Sequence, residues 1–474
     1  MPFLDRLRCW AAEKPHEPAV VCGRERLSWS ELHGAAEVLA RSGEPTRVLR
    51  QGNGVDFAVR WAAGVAGERE CAVLDPLWPG ALADDVVARL AVRAAGRSPG
   101  RVGAAAEGPA ELVDGDPASS FLVGLTSGTT SLPKGFSRTR ESWRRSFEAS
   151  VECFGLSPGD RVLAPGPLSA SLNLYTLSEC LFAGATFHTL AHFDVGDAHA
   201  EITRRGITRL VLVPTMLRVL AERGLAGDVD ASGITAIVCA GQKLDRRTLE
   251  AVRRWAPQAA VWEYYGASEL SFVAASRHAP GGEAAEVGTG VGRAFPGVEL
   301  AILDDAGAPV PDGAVGNICI RSPLVSSGYV WGDDGEAFTH LGGWATVRDQ
   351  GFLDAGTLHV LGRRADMINT GGANVYPHEV EAALAMLDGV AEVVVAGVPD
   401  DVRGQRIVAG IVPSHAGLGQ LAVRAGLEGS LAPVKRPLQY LRLDALPTTE
   451  RGKLSRAEFQ RWVLEGDSRA RPLV

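Results

Sequence analysis

Residues 125–135 of the chain read LTSGTTSLPKG, a segment that combines hydroxyl side chains, glycines and one lysine, Lys134. It follows the apolar run SFLVGL (120–125), which is typical of a buried β-strand. Backbone N–H groups and hydroxyls in such a loop can point at an anion, while glycine allows close approach. It is not a Walker A loop, because Lys134 follows a proline and is not followed by Ser or Thr. We interpret the segment as a candidate phosphate-binding loop.

The composition is that of an ordinary globular protein. Of the 474 residues, 46% are hydrophobic and 22% are charged, and the formal net charge is -8. This balance gives no general attraction for nucleic acid or for an anionic membrane. The seven cysteines form no C-x-x-C pair, so neither a disulfide framework nor a zinc site is expected. Because no signal peptide or membrane span is recognisable, we expect a cytoplasmic protein.

Strand-like and helix-like segments alternate over the first part of the chain. RLVLVP (209–214) and AIVCAG (236–241) are short apolar runs, whereas DRRTLEAVRRWA (245–256) repeats its apolar residues at helical spacing. This alternation predicts an α/β fold with a largely parallel sheet. Such sheets bind ligands beyond the carboxyl ends of their strands.

The pattern changes after about residue 280. Segment 298–322 has two apolar runs separated by Asp-Asp-Ala-Gly and Pro-Asp-Gly turns, which predicts a β-rich subdomain. Further on, YPHEVEAALAML (376–387) predicts a helix and VAEVVVAGVP (390–399) a strand. We predict a large N-terminal domain, residues 1–364, and a small α+β C-terminal domain, residues 365–474.

More motifs follow the loop in order along the chain: VCAGQKL (238–244), YYGASE (264–269), VRDQGFLD (347–354), GRRADMINTGGANVYPHEVE (362–381) and LPTTERGKLSR (446–456). Together they resemble the adenylate-forming superfamily of acyl-CoA synthetases, adenylation domains of peptide synthetases and luciferases. The resemblance covers nearly the whole chain and is closest in style to acyl-CoA synthetases. It implies ATP-dependent activation of a carboxylic acid to an acyl-adenylate with release of pyrophosphate. Transfer to CoA then gives acyl-CoA and AMP.

The resemblance assigns residues that bind the nucleotide. The family's phosphate loop matches Thr126, Ser127, Gly128, Thr129, Thr130 and Lys134, with Ser131 in place of the usual glycine. The other nucleotide contacts match Gly241, Tyr265, Gly266, Asp349 and Arg363. By this match, Tyr265 lies near adenine, and one carboxylate, Asp349, accepts hydrogen bonds from both ribose hydroxyls. Val347 and Arg348, which precede that aspartate, depart from the family pattern.

Catalysis is assigned to Lys453, Glu269 and Ser268. Glu269 matches the family's ligand for Mg²⁺, a cation that prefers carboxylate and phosphate oxygens. Ser268 stands where the family has a threonine that contacts the α-phosphate. Lys453 matches the lysine that bridges the attacking carboxylate and the α-phosphate, where a point cation offsets developing charge. The implied cofactors and co-substrates are therefore ATP, Mg²⁺ and CoA.

The small domain is expected to close for adenylation and to rotate for thioester formation. By spacing, the hinge is Ala365, where the family usually has Asp or Lys. Gly371 and Gly372 resemble the glycines past which the pantetheine arm of CoA reaches. A backbone without side chains would leave such a channel open.

Segment 165–188 corresponds to the family's acid pocket. Together with a residue beyond it, this segment supplies the candidate pocket residues Ala170, Ser171, Leu172, Tyr175 and Phe272. Family members that activate α-amino acids carry an aspartate near position 171, and this chain has none there. An α-ammonium group would lack a counter-charge, so a neutral acyl or aryl acid is favoured.

The acceptor and the turnover leave alternatives open. About twenty residues follow Lys453, so we expect an external acceptor, either CoA or a phosphopantetheinyl carrier protein, with an amine as a third alternative. A non-catalytic nucleotide-binding relative is a further alternative, because the chain departs from the family at Ser131, Val347, Arg348, Ala170 and Ala365. The oligomeric state stays open.

Overall fold

The computed structural model describes residues 3–44, 47–95, 110–126, 133–282, 290–333, 335, 337–448 and 454–474. Its α-helices are α1 (Leu4–Glu13), α2 (Trp29–Ser42), α3 (Val55–Gly64), α4 (Gly80–Ala95), α5 (Arg140–Phe154), α6 (Ser171–Ala183), α7 (Val195–Arg205), α8 (Pro214–Ala226), α9 (Arg246–Trp255), α10 (Pro377–Ala385), α11 (Gln420–Gly426) and α12 (Arg456–Glu465). Its β-strands are β1 (Pro18–Cys22), β2 (Glu25–Ser28), β3 (Val48–Leu49), β4 (Cys71–Val73), β5 (Ser120–Thr126), β6 (Lys134–Thr139), β7 (Arg161–Leu163), β8 (Thr186–Thr189), β9 (Arg209–Leu212), β10 (Ala236–Ala240), β11 (Ala260–Ala267), β12 (Ser271–His278), β13 (Gly290–Ala294), β14 (Glu299–Leu303), β15 (Gly316–Arg321), β16 (Tyr329–Trp331), β17 (Thr339–Leu341), β18 (Trp344–Thr346), β19 (Asp349–Asp354), β20 (Thr357–Arg363), β21 (Ile368–Thr370), β22 (Ala373–Val375), β23 (Val390–Asp400), β24 (Gly404–Pro413), β25 (Gln439–Arg442) and β26 (Arg471–Pro472).

The chain forms two compact units. Unit 1 consists of Met1–Ala301, Cys319–Val347 and Ala355–Leu358. Unit 2 consists of Ile302–Ile318, Arg348–Asp354 and His359–Val474.

A mainly parallel sheet forms the centre of unit 1. Its parallel strands follow the order β11-β10-β9-β7-β8-β1, with β12 antiparallel to β11 and β2 antiparallel to β1. Strands β9 and β10 are buried along their whole length because helices cover them. Ile237 of β10, Leu217 of α8 and Leu249 of α9 belong to one apolar cluster, for example. The predicted α/β class is confirmed.

A second sheet of unit 1 carries the candidate phosphate loop. Its order is β16-β6-β5-β4-β3, and β5 and β6 are antiparallel. Aromatic rings occupy the space beside two glycines of this hairpin. A Cβ on Gly124 would lie 2.0 Å from Cζ of Phe136, and one on Gly135 would lie 2.5 Å from Cζ2 of Trp331. Close packing therefore fixes the hairpin on which the loop is mounted.

Unit 2 contains a sheet of order β22-β21-β24-β25-β26, with β23 antiparallel to β24. Successive residues of a strand face opposite sides of a sheet. Val395 of β23 packs in a cluster with Val380 and Leu384 of α10, whereas Val394 packs in another cluster with Phe459 of α12. Helices α10 and α12 therefore cover opposite faces of this sheet.

The elements predicted from sequence differ from the observed ones only at their ends. The helices predicted over 245–256 and 376–387 are α9 and α10, each shorter by one to two residues at its ends. Asp245 caps α9, since its Oδ1 accepts the N–H of Thr248 at 2.8 Å. The domain boundary at 364/365 stays a prediction. Within the part of the chain that the structure describes, no helix is long and apolar enough to cross a membrane.

Gly124→Ala should lower the free energy of unfolding by about 1–3 kcal/mol, because the added methyl would overlap the ring of Phe136. Gly34→Ala is the matched control. Gly34 lies inside α2 with no atom within 4 Å of an added Cβ, so alanine should stabilise by about 0.5–1 kcal/mol. Denaturant unfolding measures both. A Gly124→Ala variant as stable as the wild type would contradict this packing.

Candidate active site

Both ends of the candidate phosphate loop lie on the β5–β6 hairpin. Thr126 ends β5 and pairs with Lys134 at the start of β6, where Thr126 Oγ1 lies 3.5 Å from the carbonyl oxygen of Lys134. Trp331 holds the returning end, because its Nε1 donates to the carbonyl of Pro133 at 2.8 Å. Ser127, Gly128, Thr129 and Thr130, with Ser131, lie outside the described residues.

A tyrosine connects the loop lysine to the predicted metal ligand. Nζ of Lys134 lies 5.6 Å from the centroid of the Tyr329 ring, within the range of a cation–π interaction. The hydroxyl of Tyr329 donates to Oε1 of Glu269 at 2.5 Å. Glu269 is only 7% exposed, so this hydrogen bond fixes a carboxylate that little water reaches. The structure thus brings Lys134 and Glu269 to the same place in unit 1.

A buried arginine lies beside the same turn. Arg138 is 3% exposed, and its guanidinium donates to the carbonyl of Ser268 at 2.5 Å and to that of Leu324. Burial lowers the pKa of Arg138 to about 10, and the charge of Glu269 opposes this shift. Arg138 therefore stays protonated at neutral pH. It supplies a fixed positive charge that holds the turn carrying Ser268 and Glu269.

The YYGASE turn is tightly constrained. Tyr265 is a half-buried residue of β11, paired with Ala274, and a bulge separates it from Gly266. A Cβ on Gly266 would lie 2.2 Å from the carbonyl oxygen of Ser271, so no other residue fits there without movement. Ser271 itself has φ +66, a left-handed conformation that is uncommon outside glycine. The backbone after Tyr265 is therefore held in one path.

The nearest candidate pocket residue meets this turn directly. Oγ of Ser171 lies 3.4 Å from Oγ of Ser268. Ser171 is the exposed first residue of α6, Ala170 is half-buried at its N-cap, and Leu172 is half-buried. The start of α6 and the YYGASE turn thus lie side by side.

One helical turn further along α6, the pocket candidates become aromatic. The ring centroids of Tyr175 and Phe272 are 5.4 Å apart in an edge contact. Phe272 also stacks on Phe295 at 4.4 Å, and Tyr175 meets the edge of Trp143 at 5.3 Å. This aromatic cluster surrounds two residues that the sequence picked out as pocket walls.

Behind the aromatic cluster lies a buried polar ladder between α5 and α6. The hydroxyl of Tyr175 lies 3.0 Å from Oγ of both Ser146 and Ser150, and Ser150 donates to Glu179. Burial is the largest influence on Glu179 and raises its pKa to about 7, although Ser150 and the charge of Arg209 act in the opposite direction. Glu179 is therefore a carboxyl that titrates near neutral pH beneath the candidate pocket.

The segment that carries Gly241, a predicted nucleotide contact, is anchored by an ion pair. Gly241 follows β10 directly with φ +87. Two residues later, Nζ of Lys243 lies 2.5 Å from Oε2 of Glu263, and the N–H of Leu244 donates to Oε1 of the same carboxylate at 2.7 Å. Burial raises the pKa of Glu263, and Lys243 opposes that shift. The ion pair fixes the backbone that leaves β10.

The residues present fit a Mg²⁺ ion that nucleotide phosphates help to bind. Over the described ranges, no three or more His, Cys, Asp or Glu side chains are grouped to hold a metal ion. Glu269 offers one hydrogen-bonded, nearly buried carboxylate. Mg²⁺ commonly takes one or two carboxylates and completes its shell with phosphate oxygens and water.

Two predicted nucleotide contacts lie together in unit 2. Asp349 begins β19 and Arg363 ends β20, and Arg363 Nε lies 3.8 Å from Oδ1 of Asp349. The side chain of Asp349 is 14% exposed, whereas that of Arg363 is 71% exposed. Arg348, which departs from the family pattern, has φ +58. The carboxylate of Asp349 is thus mostly buried, whereas the guanidinium of Arg363 extends into solvent.

Gly371 and Gly372 form the two-residue turn of the β21–β22 hairpin, in which Thr370 pairs with Ala373. Their φ values of +57 and +81 are those of a type I′ turn, so the turn itself calls for glycine. Among the described residues, no atom lies within 4 Å of a Cβ added at either position, so the turn is open on its outer side with respect to them. Ala365 lies in the short 3₁₀ helix Arg364–Asp366. Lys453 lies outside the described residues.

Sequence reasoning missed Tyr329, Arg138 and Glu179. Tyr329 is 60 residues from Glu269, and Arg138 is 130 residues from Ser268, so no local motif joins them. The spacing of Tyr175 and Glu179 by four residues, facing Ser146 and Ser150 at the same spacing, was the available signal for the polar ladder.

Comparison with known proteins places the chain in a family. Residues 73–330 match the AMP-binding enzyme family, and residues 379–453 match the AMP-binding enzyme C-terminal domain. An uncharacterized acyl–CoA ligase of Bacillus subtilis is 33% identical over 351 residues, which cover 74% of this chain and 70% of that protein. An indoleacetate–CoA ligase of Aromatoleum aromaticum is 33% identical over 353 residues, which cover 73% of this chain and 68% of that protein.

The fold agrees with that of a solved relative. The structure of ATP-bound MatB from Rhodopseudomonas palustris has a TM-score of 0.82 at 23% identity, over 98% of this chain and 100% of that chain. Because the family model matches residues 73–330 and curated ligases are 33% identical over most of the chain, the chain belongs to the AMP-binding enzyme family, which confirms the resemblance drawn from its motifs. It is an AMP-forming acid–CoA ligase, with ATP and CoA as substrates.

Glu179→Gln should remove a pH dependence of stability. The folded-state pKa of about 7 lies above the ordinary 4.5, so the carboxyl favours folding below pH 4.5, and this contribution is lost as pH rises through 7. Raising the pH from 4 to 8 should therefore destabilise the wild type relative to the variant. The change in the difference between their free energies of unfolding should be up to about 3 kcal/mol. Unfolding curves across this range measure the difference. Glu152→Gln, at an exposed glutamate of α5, is the control, and equal pH profiles of all three proteins would contradict the assignment.

Proposed function

We propose that the protein activates a neutral acyl or aryl carboxylic acid with ATP and Mg²⁺ and then transfers the acyl group to CoA. The observation that carries this proposal is a chain of contacts in which Lys134 lies over the ring of Tyr329 and the hydroxyl of Tyr329 donates to Glu269. Ser268, the residue before Glu269, lies beside Ser171 at the start of α6. This arrangement puts a cation from the phosphate loop, a fixed carboxylate and the candidate acid pocket at one place in unit 1.

In the proposed reaction, a carboxylate oxygen of the substrate attacks the α-phosphorus of ATP and pyrophosphate leaves. Lys134 and the hydroxyls of the phosphate loop bind the β and γ phosphates, so that the leaving charge is held by fixed donors. Ser268 binds the α-phosphate, and Asp349 and Arg363 bind the ribose and its neighbouring phosphate. Mg²⁺, held by Glu269, would neutralise phosphate charge when bound.

Lys453 is proposed to stabilise the charge on the attacking carboxylate and the α-phosphate. The C-terminal domain, residues 365–474, would bring this lysine to the nucleotide and then rotate about Ala365. In the second orientation, the Gly371–Gly372 turn would face the acyl-adenylate. No atom of the residues that the structure describes lies within 4 Å of a Cβ added at either glycine, which supports room for a pantetheine arm on this side of the turn.

The proposal of a neutral acid rests on the side chains around the first turns of α6. Ser171 is polar but uncharged, and the proposed wall beyond it is aromatic, made of Tyr175 and of Phe272, which is 4% exposed. The carboxyl of Glu179 lies one turn deeper and is only 8% exposed, with Ser150 as its hydrogen-bond partner. An apolar chain or ring would bury its surface against this wall, whereas a charged group would lose hydration. The related indoleacetate–CoA ligase acts on an acid of this neutral aryl type.

Pyrophosphate release with ATP and Mg²⁺, measured over a panel of fatty, aryl and α-amino acids, tests the proposed substrate class. We expect release with neutral fatty or aryl acids, and conversion to the CoA thioester by mass spectrometry once CoA is added. Fastest release with an α-amino acid would contradict the neutral-acid proposal. Pyrophosphate release without formation of a CoA thioester would favour a carrier protein or an amine as acceptor. No pyrophosphate release with any acid of the panel would favour a non-catalytic relative.

Lys453→Ala should reduce adenylation by about 100-fold or more, because a cation at the reacting phosphate is lost. Thioester formation from supplied acyl-adenylate and CoA should stay within about twofold of the wild type, because that step does not need this charge. Lys435→Ala is the matched control, since Lys435 is another lysine of unit 2 and pairs with Glu379 at 2.5 Å. Equal loss of both half-reactions in Lys453→Ala would contradict the proposal that Lys453 acts in adenylation and not in thioester formation.

A further inference from the structure

A cluster of three charged or titratable side chains in unit 2 has no place in the roles described so far. Oε2 of Glu381, on α10, lies 2.5 Å from Nη2 of Arg456, the first residue of α12. Nδ1 of His378 lies 3.1 Å from the same carboxylate oxygen and 3.2 Å from the same guanidinium nitrogen. Glu381 is 8% exposed, so this is a nearly buried ion pair.

The carboxylate of Glu381 also binds the edge of the sheet. Its Oε1 accepts the N–H of Val395, on strand β23, at 2.9 Å. Helices α10 and α12 cover opposite faces of this sheet, so Glu381 bridges from one face to the other through the strand between them. Burial acts to raise the pKa of Glu381, but the hydrogen bond from His378 and the charge of Arg456 outweigh it, so the carboxyl stays ionised at neutral pH.

Two members of the cluster, Arg456 and His378, adjoin segments with a proposed function. Arg456 is three residues after Lys453, and the intervening backbone is tied down because Leu454 forms a bridge with Thr448 and the N–H of Ser455 donates to Pro447 at 2.9 Å. The first turn of α12 is also capped by Ser455, whose Oγ accepts the N–H of Glu458. Described residues on both sides of the lysine segment are therefore held in place.

His378 connects the cluster to the strand that leads to the proposed hinge. A Cβ on Gly362 would lie 3.0 Å from Cδ2 of His378, so the ring lies against this backbone, three residues before Ala365. Gly362 has φ +126, which other residues rarely adopt. His378 itself lies in the first turn of α10, which follows the Gly371–Gly372 hairpin.

We infer that Glu381, Arg456 and His378 form a positioning cluster for the adenylation half-reaction, in which Glu381 holds the start of α12, the helix that begins three residues after Lys453 in the sequence. The inference rests on the proposed role of Lys453. None of the three residues is assigned a contact with substrate. Charge-assisted hydrogen bonds to a buried carboxylate are directional and strong, which suits them to fix the first turn of a helix.

Arg456→Ala should lower the rate of adenylation by about tenfold, as expected for losing one charged hydrogen bond that orients a reacting group. Thioester formation from supplied acyl-adenylate should stay within about twofold, because Val380 and Leu384 keep α10 in its apolar cluster. Arg456→Lys keeps a cation and should recover part of the adenylation rate. Arg461→Ala, on the exposed side of the same helix, should change neither half-reaction.

Arg456→Ala leaves a buried carboxylate without its cation, which can destabilise the unit. The double variant Glu381→Gln with Arg456→Met removes both charges and separates stability from positioning. We expect thermal stability close to the wild type, with adenylation still about tenfold low. Full recovery of adenylation in this variant, or a parallel fall of both half-reactions in Arg456→Ala, would show that the cluster is only structural.

Lys453→Ala serves as the reference in the same assays. If it leaves adenylation intact, the proposed role of that lysine fails, whatever the cluster variants do. If it abolishes adenylation while Arg456→Ala and Glu381→Gln leave it unchanged, the positioning inference alone is overturned.

Discussion

The hydrogen bond from Tyr329 to Glu269 is the contact on which the arrangement of unit 1 depends. A carboxylate that is 7% exposed cannot rely on water, so its partners decide whether it is stable and where it points. Tyr329 supplies a short hydrogen bond, and Arg138 supplies a buried positive charge that also holds Ser268. Tyr329 lies in β16, which pairs with β6, the strand that begins at Lys134. The returning end of the candidate phosphate loop and the predicted metal ligand are thus both positioned by the pairing of β16 with β6.

In unit 2, a buried ion pair between Glu381 and Arg456 holds the elements that lie near the proposed functional residues. The proposed functional residues of unit 2 lie on a hairpin turn, on strand ends and next to a helix start, and none of these is a rigid place by itself. The buried pair of Glu381 and Arg456 links two helices on opposite faces of a sheet. The proposed rotation of residues 365–474 requires that they move as one body, and both Glu381 and Arg456 lie within that range.

The sequence predicted much of this organisation because its motifs are local. The strand before LTSGTTSLPKG, the helix after Asp245 and the strand from Val390 depend on apolar spacing and capping, which are readable from neighbouring residues. Tyr329, Arg138 and Glu179 were missed because their partners are 29 to 130 residues away. For Glu179 alone, the four-residue spacing from Tyr175 was a local signal. Gly371 and Gly372 show that a residue can fit a family motif for a purely local reason. A type I′ turn requires them whatever the path of CoA, so their presence alone does not argue for a channel.

The most direct test of the central contact is the Mg²⁺ dependence of adenylation in Tyr329→Phe. Loss of the hydroxyl leaves Glu269 buried but less firmly oriented, and removal of a residue that orients a metal ligand typically weakens metal binding by about 10- to 100-fold. We therefore expect the half-saturating Mg²⁺ concentration for pyrophosphate release to rise by about tenfold or more, with thioester formation from supplied acyl-adenylate unchanged. An unaltered Mg²⁺ dependence in a folded variant would contradict the assignment of Glu269 as a metal ligand that Tyr329 holds in place.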